Sequence, residues 1–410
     1  MNYDVIVIGG GASGMFAACV ASSRGKKVLI LEKNKELGKK LKISGGGRCN
    51  ITNSEPDARK YLARYEPNDK FLFSAFSEFS NLDTFNYFAD RGLPFEVENN
   101  GRAFPYTRKA IDVFHVLEKE LQKHNVTVLT ESSVSKFNHT GSKIISVISN
   151  GVEYFADSFI LATGGLSHPE TGSTGDGFKW LRDLGHTIAE PTPSIVPLAA
   201  ADSWIKSLSG TSFEEVKITF FVDNIKSFSK KGKMLCTHFG LSGPMILNSA
   251  KQVGELLHEG FVTATIDLFP TLDHGTLEKK IISLFDENKN KMLKNVFPQL
   301  VPSGTSSVLE TLFPEINFET KIHSVTKDDR KLLVKRLKEL PVTITGLMGF
   351  DRAVVADGGV PLNELDTKTF RSKKISNLFI TGDLLHINRP SGGFSLQLCW
   401  TTGFASGKNA

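Results

Sequence analysis

The sequence holds four cysteines in 410 residues, Cys19, Cys49, Cys236 and Cys399, and no two of them form a Cys-x-x-Cys pair. That scarcity argues against a disulfide framework, a dithiol redox centre and a zinc knuckle; reduced thiols in a cytoplasmic protein are the expectation. No window approaches the ~20 uninterrupted apolar residues of a membrane span, so no membrane partner is expected. The opening Met1-Asn2-Tyr3-Asp4 is polar, and the apolar run after it ends in glycines, which argues against a secretory leader. Charge of one sign is also scarce: a net +5 is weak for this length and does not call for nucleic acid. No histidine has a His, Asp or Glu partner at metal-ligand spacing, so no metal is expected. Apolar residues at 40% and charged residues at 23% are ordinary globular usage, which excludes a disordered, collagen-like or coiled-coil chain.

What is present begins with Val5-Ile6-Val7-Ile8, a β-branched run suited to a strand buried on both faces. Gly9-Gly10-Gly11-Ala12-Ser13-Gly14 follows, then the small apolar helix Met15 to Ala21, closed by Arg24-Gly25. Val28-Leu29-Ile30-Leu31 is a second strand, ended by Glu32. This is one βαβ unit. Gly9-x-Gly11-x-x-Gly14 is the dinucleotide fingerprint. Gly9 permits the tight turn, Gly11 lets backbone approach a pyrophosphate, and Gly14 lets the helix pack on the strand. The helix's first N–H groups would face the phosphates. Glu32 stands roughly 20 residues on, where a carboxylate accepts ribose hydroxyls and repels a 2′-phosphate.

Further along, phenylalanines crowd from Phe71 to Phe88 at helical spacing and read as core packing. Val126 to Leu129 and Phe159 to Ala162 read as strands. Pro191, Pro193 and Pro197 suggest a domain crossing. Lys217 to Met234 alternates and reads as antiparallel strands, with Lys230, Lys231 and Lys233 at a hairpin tip. Thr276 to Leu340 is lysine-rich with helical periodicity, a solvated helical subdomain. Ile375 to Asp383 is again a strand ending in a turn, and Ser391-Gly392-Gly393-Phe394 opens a last helix. Ends alike with a different middle indicate one discontinuous domain carrying an insertion. The expected fold class is α/β: a Rossmann-like FAD-binding domain, discontinuous, with an inserted β-rich domain that carries a small helical subdomain. The expected divisions are 1–190 and 346–410 for the FAD domain and 191–345 for the insert, with helices over about 272–338.

Three more segments bear on the cofactor. Thr381-Gly382-Asp383 resembles the second signature of FAD proteins of the glutathione-reductase structural class, where an aspartate holds the ribityl or pyrophosphate region. Ser44-Gly45-Gly46-Gly47-Arg48-Cys49-Asn50 is a glycine loop that can lie flat on a ring system, with Arg48 to offset negative charge; Cys49 reads as packing in that loop rather than as a catalytic thiol. Gly392-Gly393 could aim the positive end of the last helix at the flavin N1–O2 edge. Thr163-Gly164-Gly165 ends a strand. Gly172 to Gly177 enters another helix as a further anion or ligand cradle; its Thr174-Gly175-Asp176-Gly177 core resembles the fumarate-reductase and ketosteroid-dehydrogenase flavoproteins.

Taken together, Lys39 to Asn53, Ala162 to Gly185, Thr237-His238-Phe239-Gly240-Leu241-Ser242-Gly243-Pro244 and Ala356 to Gly407 resemble one family. It is the aminoacetone-oxidase-like flavoproteins of bacteria, which include a bile-acid ene-reductase. The resemblance implies tightly bound FAD, with a small-molecule substrate between the FAD domain and the insert. The chain departs from it in two places. Gly382-Asp383 stands for the usual Gly-Glu. His386-Ile387-Asn388-Arg389-Pro390-Ser391-Gly392-Gly393-Phe394-Ser395 stands for Asp-x-x-Gly-x-Thr-Gly-Gly-Tyr-Asn.

The candidate cofactor residues on the first segments are Gly9, Gly11, Ala12, Ser13, Gly14, Glu32, Lys33 and Lys40. Ser44, Gly45, Gly46, Arg48, Cys49 and Asn50 follow on the glycine loop, and Ala162, Thr163, Gly164 and Gly165 on the next strand end. Gly382, Asp383, Gly392, Gly393 and Phe394 complete the set. Candidate catalytic residues are His238, His386 and Arg48. The expected activity is that of an FAD-dependent oxidoreductase passing hydride between a small organic substrate and flavin N5. It acts either as an oxidase using oxygen or as a reductase using NADH or NADPH as a transient donor. No second glycine fingerprint in a βαβ setting exists, so no dedicated nicotinamide domain is expected. The alternative is a flavoprotein that binds RNA or protein through its lysine-rich insert, which the weak net charge disfavours. The pattern leaves the oligomeric state open.

Overall fold

Val5 to Ile8 offers no polar side chain to solvent, and it becomes the centre of a sheet covered on both faces. In the computed structural model, which describes residues 2–410, it lies in strand β1 (Asn2–Ile8). Ile6 and Ile8 enter one hydrophobic core and Val5 and Val7 the other. Each such side chain, once buried, contributes about 1.5–3 kcal/mol. The glycine turn leads into the Ala12–Ser23 helix, and β2 (Val28–Leu31) returns parallel to β1.

The chain then leaves the sheet. Strands β3 (Thr52–Asn53), β4 (Phe95–Val97) and β5 (Arg102–Pro105) form a small antiparallel sheet in the order β3-β5-β4. The phenylalanine-rich stretch forms two helices, Asp69–Glu78 and Asn81–Ala89. Ser80 and Asp83 build a capping box that starts the second. Phe76, Phe79 and Phe88 are buried, whereas Phe73 stays 53% exposed and is no core residue. After the Ala110–Lys123 helix, β6 (Thr127–Leu129) pairs with β2.

Strands β7 (Val134–Thr140), β8 (Lys143–Ser149) and β9 (Val152–Leu161) follow as an antiparallel meander. The ten-residue β9 unites the sheet. Its first part pairs with β8, while Phe159 to Leu161 run parallel to β1. β10 (Ala189–Ser194) closes this part of the chain.

The insert opens with β11 (Leu198–Ala200) and continues through β12 (Ser212–Val222), β13 (Ile225–Thr237), β14 (Gly240–Ser242), β15 (Val262–Asp267) and β16 (Leu340–Leu347). They close a barrel in the order β11-β14-β13-β12-β15-β16. The hairpin turn falls at Asp223-Asn224, both at positive φ, so Lys230, Lys231 and Lys233 lie within β13 and not at the tip the sequence suggested. A two-residue turn needs left-handed residues, and Asp-Asn supplies them better than lysine. Between β15 and β16 come helices, chiefly His274–Glu287 and Lys327–Lys338, around buried Phe297 and Phe313.

The chain returns through β17 (Val355–Gly359), paired with β10, and β18 (Leu378–Ile380), parallel to β9. The seven-stranded sheet has the order β6-β2-β1-β9-β8-β7, with β18 also on β9. The last helix, Phe394–Asn409, crosses the first one closely: a Cβ on Gly407 would stand 2.3 Å from the Ala17 carbonyl oxygen. The chain forms two compact units, Met1–Pro193 with Phe350–Ala410, and Ser194–Gly349. Among the described residues no helix is long and apolar enough to cross a membrane.

Candidate functional site

The three fingerprint glycines have different surroundings. Gly9 sits at φ 102°, and a Cβ there would lie 2.6 Å from the Ala162 carbonyl oxygen. A Cβ on Gly14 would lie 2.0 Å from the Gly9 oxygen. Gly11 has nothing within 4 Å of its Cβ position, so it borders open space. The helix begins there without a side-chain cap, which leaves the amides of Ala12, Ser13 and Gly14 to an external acceptor. Glu32, 6% exposed, braces the turn. One carboxylate oxygen accepts the Gly10 N–H at 2.7 Å and the other accepts Asn34 N–H and Nδ2, each at 2.7 Å. A lone pair remains on the oxygen that holds Gly10, free for a ribose hydroxyl.

The loop after β9 is clamped to this edge. Lys33 pairs with Asp176 at 2.8 Å and also donates to the Thr174 hydroxyl. Asn34 Nδ2 donates to the Thr171 carbonyl at 3.0 Å, and Lys39 to that of Glu170 at 2.7 Å. The Gly172 to Gly177 turn is therefore closed by Asn34 and Lys33 beside Glu32, rather than an open anion cradle. Lys33 itself is committed to Asp176.

At the opposite side of the helix start, Gly382 (φ 64°) lies over Ser13: its Cβ would be 2.9 Å from the Ser13 Oγ. Thr381 Oγ1 donates to that Oγ at 3.1 Å. A Cβ on Gly165 would be 3.0 Å from the Asp383 carbonyl oxygen. Ser13, Gly165, Gly382 and Asp383 thus lie together. Asp383 is paired with Lys40 at 3.2 Å and with Arg389. Burial alone would raise its carboxyl; the Lys40 and Arg389 charges and hydrogen bonds outweigh that and hold it below the usual carboxylate range.

The glycine loop meets the last helix. Gly45, Gly46, Gly47 and Cys49 all have positive φ, and nothing lies within 4 Å of Cβ positions on Gly46 and Gly47. Ser44 Oγ donates to the Leu41 carbonyl at 2.7 Å. Asn53 Nδ2 donates to the Gly392 carbonyl at 3.2 Å, and Trp400 Nε1 to that of Ile51 at 3.0 Å. A Cβ on Gly393 would stand 2.2 Å from the Thr52 oxygen, so only glycine seats here. Asn50 Oδ1 and Thr163 Oγ1 are buried without a partner. These orphaned groups, the uncapped helix start and the bare glycine surfaces fit FAD.

Side chains in this region divide sharply. Phe394 turns its ring into the core, 5.0 Å from the Tyr61 ring, and its carbonyl accepts the Tyr65 hydroxyl at 2.8 Å. Cys49 is fully buried, and burial pushes its thiol up to about 12. Arg48 stacks on Phe104 at 4.5 Å and pairs with Glu98 at 3.3 Å. His386 has a half-open side chain with Nε2 3.7 Å from Asp357 Oδ1. His238 is exposed on the insert beside Phe239, in the other unit. Sequence reasoning missed Arg389 as a site residue, although the arginine stood in the motif's departure. Among the described residues no group of three His, Cys, Asp or Glu could hold a metal.

Comparison with known proteins agrees with this geometry. Residues 3–409 match the family model described as HI0933-like protein Rossmann domain. The chain is 29% identical to the 3-dehydro-bile acid delta(4,6)-reductase of Clostridium scindens, over 98% of each chain. It is also 29% identical to the ribosomal RNA dihydrouridine synthase of Escherichia coli, over 98% of this chain and 97% of that one. In fold it resembles 3-ketosteroid delta1-dehydrogenase from Sterolibacterium denitrificans, with a TM-score of 0.55 at 14% identity over 100% of this chain and 99% of that one. The chain belongs to the HI0933-like family of FAD-binding Rossmann proteins and is an FAD-dependent oxidoreductase.

Proposed function

We propose that the enzyme is a reductase that saturates a carbon–carbon double bond conjugated with a carbonyl, with NADH or NADPH as transient donor. When bound, FAD supplies two-electron hydride chemistry at N5. Hydride goes to the substrate carbon β to the carbonyl and a proton to the α-carbon, so the double bond becomes a single bond. The single observation that carries the reading is the start of the last helix. Gly393 is its N-cap, seated against Thr52 and without a side-chain cap, so the first amides of the helix are left to another acceptor. Such an end favours negative charge and suits the N1–O2 edge of a flavin that cycles through its reduced form.

The chain's own residues divide the remaining work. Ala12, Ser13 and Gly14 would hold the pyrophosphate, Glu32 the adenosine ribose, and Asn50 and Thr163 the polar atoms of the ring and ribityl chain. His386, exposed and paired with Asp357, is the candidate proton carrier in the same unit. Full-length relatives named as a reductase and a dihydrouridine synthase support the reductase mode over the oxidase mode. A uracil ring and a 3-oxo-Δ4 steroid both present a double bond conjugated with a carbonyl.

A second reading places that bond in an RNA base. Lys226, Lys230, Lys231 and Lys233 lie exposed along β13, which favours contact with phosphate. Both readings are tested together. The holoprotein is reduced anaerobically and offered 3-oxo-Δ4 steroids, other enones and uridine-containing RNA, each as the sole oxidant. Return of the oxidised flavin spectrum with one of them supports the proposal. Reoxidation by oxygen alone, coupled to amine oxidation, contradicts it. Binding of RNA that weakens steeply with salt would select the second reading.

A further inference from the structure

The buried Glu32 carboxylate has unequal oxygens. Oε1 accepts the Asn34 N–H and Asn34 Nδ2, each at 2.7 Å. A carboxylate oxygen offers two lone pairs, so Oε1 is filled by Asn34 alone. Oε2 accepts the Gly10 N–H at 2.7 Å and keeps one lone pair.

The Asn34 amide sits one way round. Nδ2 has two hydrogens, one for Glu32 Oε1 and one for the Thr171 carbonyl at 3.0 Å. Both neighbours are acceptors, so the amide nitrogen and not the oxygen must face them. The backbone beside it is pinned as well. Glu131 N–H donates to the Asn34 carbonyl at 2.9 Å, and Ser132 N–H to that of Glu32 at 2.8 Å. On the other side, Lys39 holds the Glu170 carbonyl at 2.7 Å and Lys33 holds Asp176 at 2.8 Å. Gly172 lets that segment come close, since a Cβ there would stand 2.5 Å from Asn34 Nδ2. Two stretches of chain thus keep Asn34 on Oε1. A ribose seeking both carboxylate oxygens would have to displace it.

We infer that Asn34 is a positioning residue for the cofactor: it fills one oxygen of Glu32, so that the carboxylate recognises a single hydroxyl of the adenosine ribose instead of clasping both. The inference rests on the reading of Glu32 as the ribose partner of FAD. A charge-assisted bond to the recognised hydroxyl is worth about tenfold or more in affinity. The other hydroxyl gains nothing from Glu32.

The test loads the full-length chain with FAD and with two FAD analogues, one built on 2′-deoxyadenosine and one on 3′-deoxyadenosine, and reads affinity by flavin fluorescence. In the unmodified protein one analogue binds about as tightly as FAD and the other about tenfold or more weakly. Losses of that size with both analogues would reveal a carboxylate that clasps both hydroxyls and overturn the inference. Asn34→Ala frees a lone pair on Oε1, so the analogue tolerated before should now bind about tenfold more weakly than FAD. An Asn34→Ala protein that keeps the one-sided pattern makes Asn34 a mere tie for the 170–176 segment and overturns the inference. Should Asn34→Ala fail to fold, the pattern in the unmodified protein decides alone. A protein that binds FAD and both analogues equally well refutes Glu32 as the ribose partner, and the inference with it. One that binds no FAD refutes the cofactor reading, a different result from losses with both analogues.

Discussion

The Glu32 carboxylate accepts the backbone N–H of Gly10 at 2.7 Å, which ties the end of the second strand to the turn that begins the first helix. The residue expected to select the ribose is thus also the brace of the phosphate turn. Replacing Glu32 by Ala removes its bonds to Gly10 and Asn34 together. The FAD-free protein is expected to lose about 2–4 kcal/mol in urea unfolding, as charge-assisted bonds are removed from a buried site. FAD affinity, read by fluorescence titration, should fall at least tenfold. Unchanged stability would mean that the brace does not operate.

Gly11 and Gly14 separate binding from folding. Gly11 has open space at its Cβ position and an ordinary backbone, so Gly11→Ala should fold like the parent and lose FAD affinity. Gly14→Ala drives a methyl to 2.0 Å from the Gly9 oxygen, and overpacking of this kind costs about 3 kcal/mol. Circular dichroism melts of the two FAD-free variants give the comparison. Equal melting temperatures would contradict the packing argument.

His186 makes the first unit sensitive to acid. Its side chain is fully buried between Glu364 at 2.6 Å and Ser372 Oγ at 2.8 Å. Ser372 Oγ already accepts the amides of Lys374 and Ile375, so its hydroxyl donates to the imidazole, which is neutral. Burial lowers the His186 pKa, and Glu364 offsets this only in part. Burial would raise the Glu364 carboxyl, but its hydrogen bonds to Lys374, His186 and Thr187 hold it at about 2. A depressed histidine stabilises the fold above its unfolded pKa, and that stability is lost as pH falls below about 6.5. The depressed carboxyl contributes above its own unfolded value of about 4.3, and that contribution is lost as pH falls on toward 2. Melting temperature should be flat above pH 7 and fall in two steps below it, with the upper step absent in His186→Gln. A profile that the substitution leaves unchanged would refute this.

Cys49 should be silent toward thiol reagents in the native state, since it is fully buried with its thiol raised to about 12. Mass spectrometry after brief alkylation should find it modified only in unfolded protein. Rapid native labelling would reopen a redox role.

The βαβ start was legible because one signal repeats at several levels: a β-branched strand, spaced glycines and an acid at the next strand end. The glycine loop and the last helix were legible for the same reason, since residues without side chains mark where backbone must come close. The meander was less so. Lys143 to Ser149 carries serines and a lysine in a pattern that alternates too irregularly to stand out, and β9 shows its role only through its partners. The hairpin tip was misplaced because the lysine run drew attention from Asp223-Asn224. Arg389 escaped because a buried arginine looks like a loop residue until the fold sets it against Asp383.

The most direct measurement is the anaerobic visible spectrum of the purified protein, loaded with FAD, before and after NADH or NADPH. A flavin band that bleaches with a nicotinamide and returns on addition of an enone is the expected result. A protein that shows no flavin band even after incubation with FAD would contradict the account at its root.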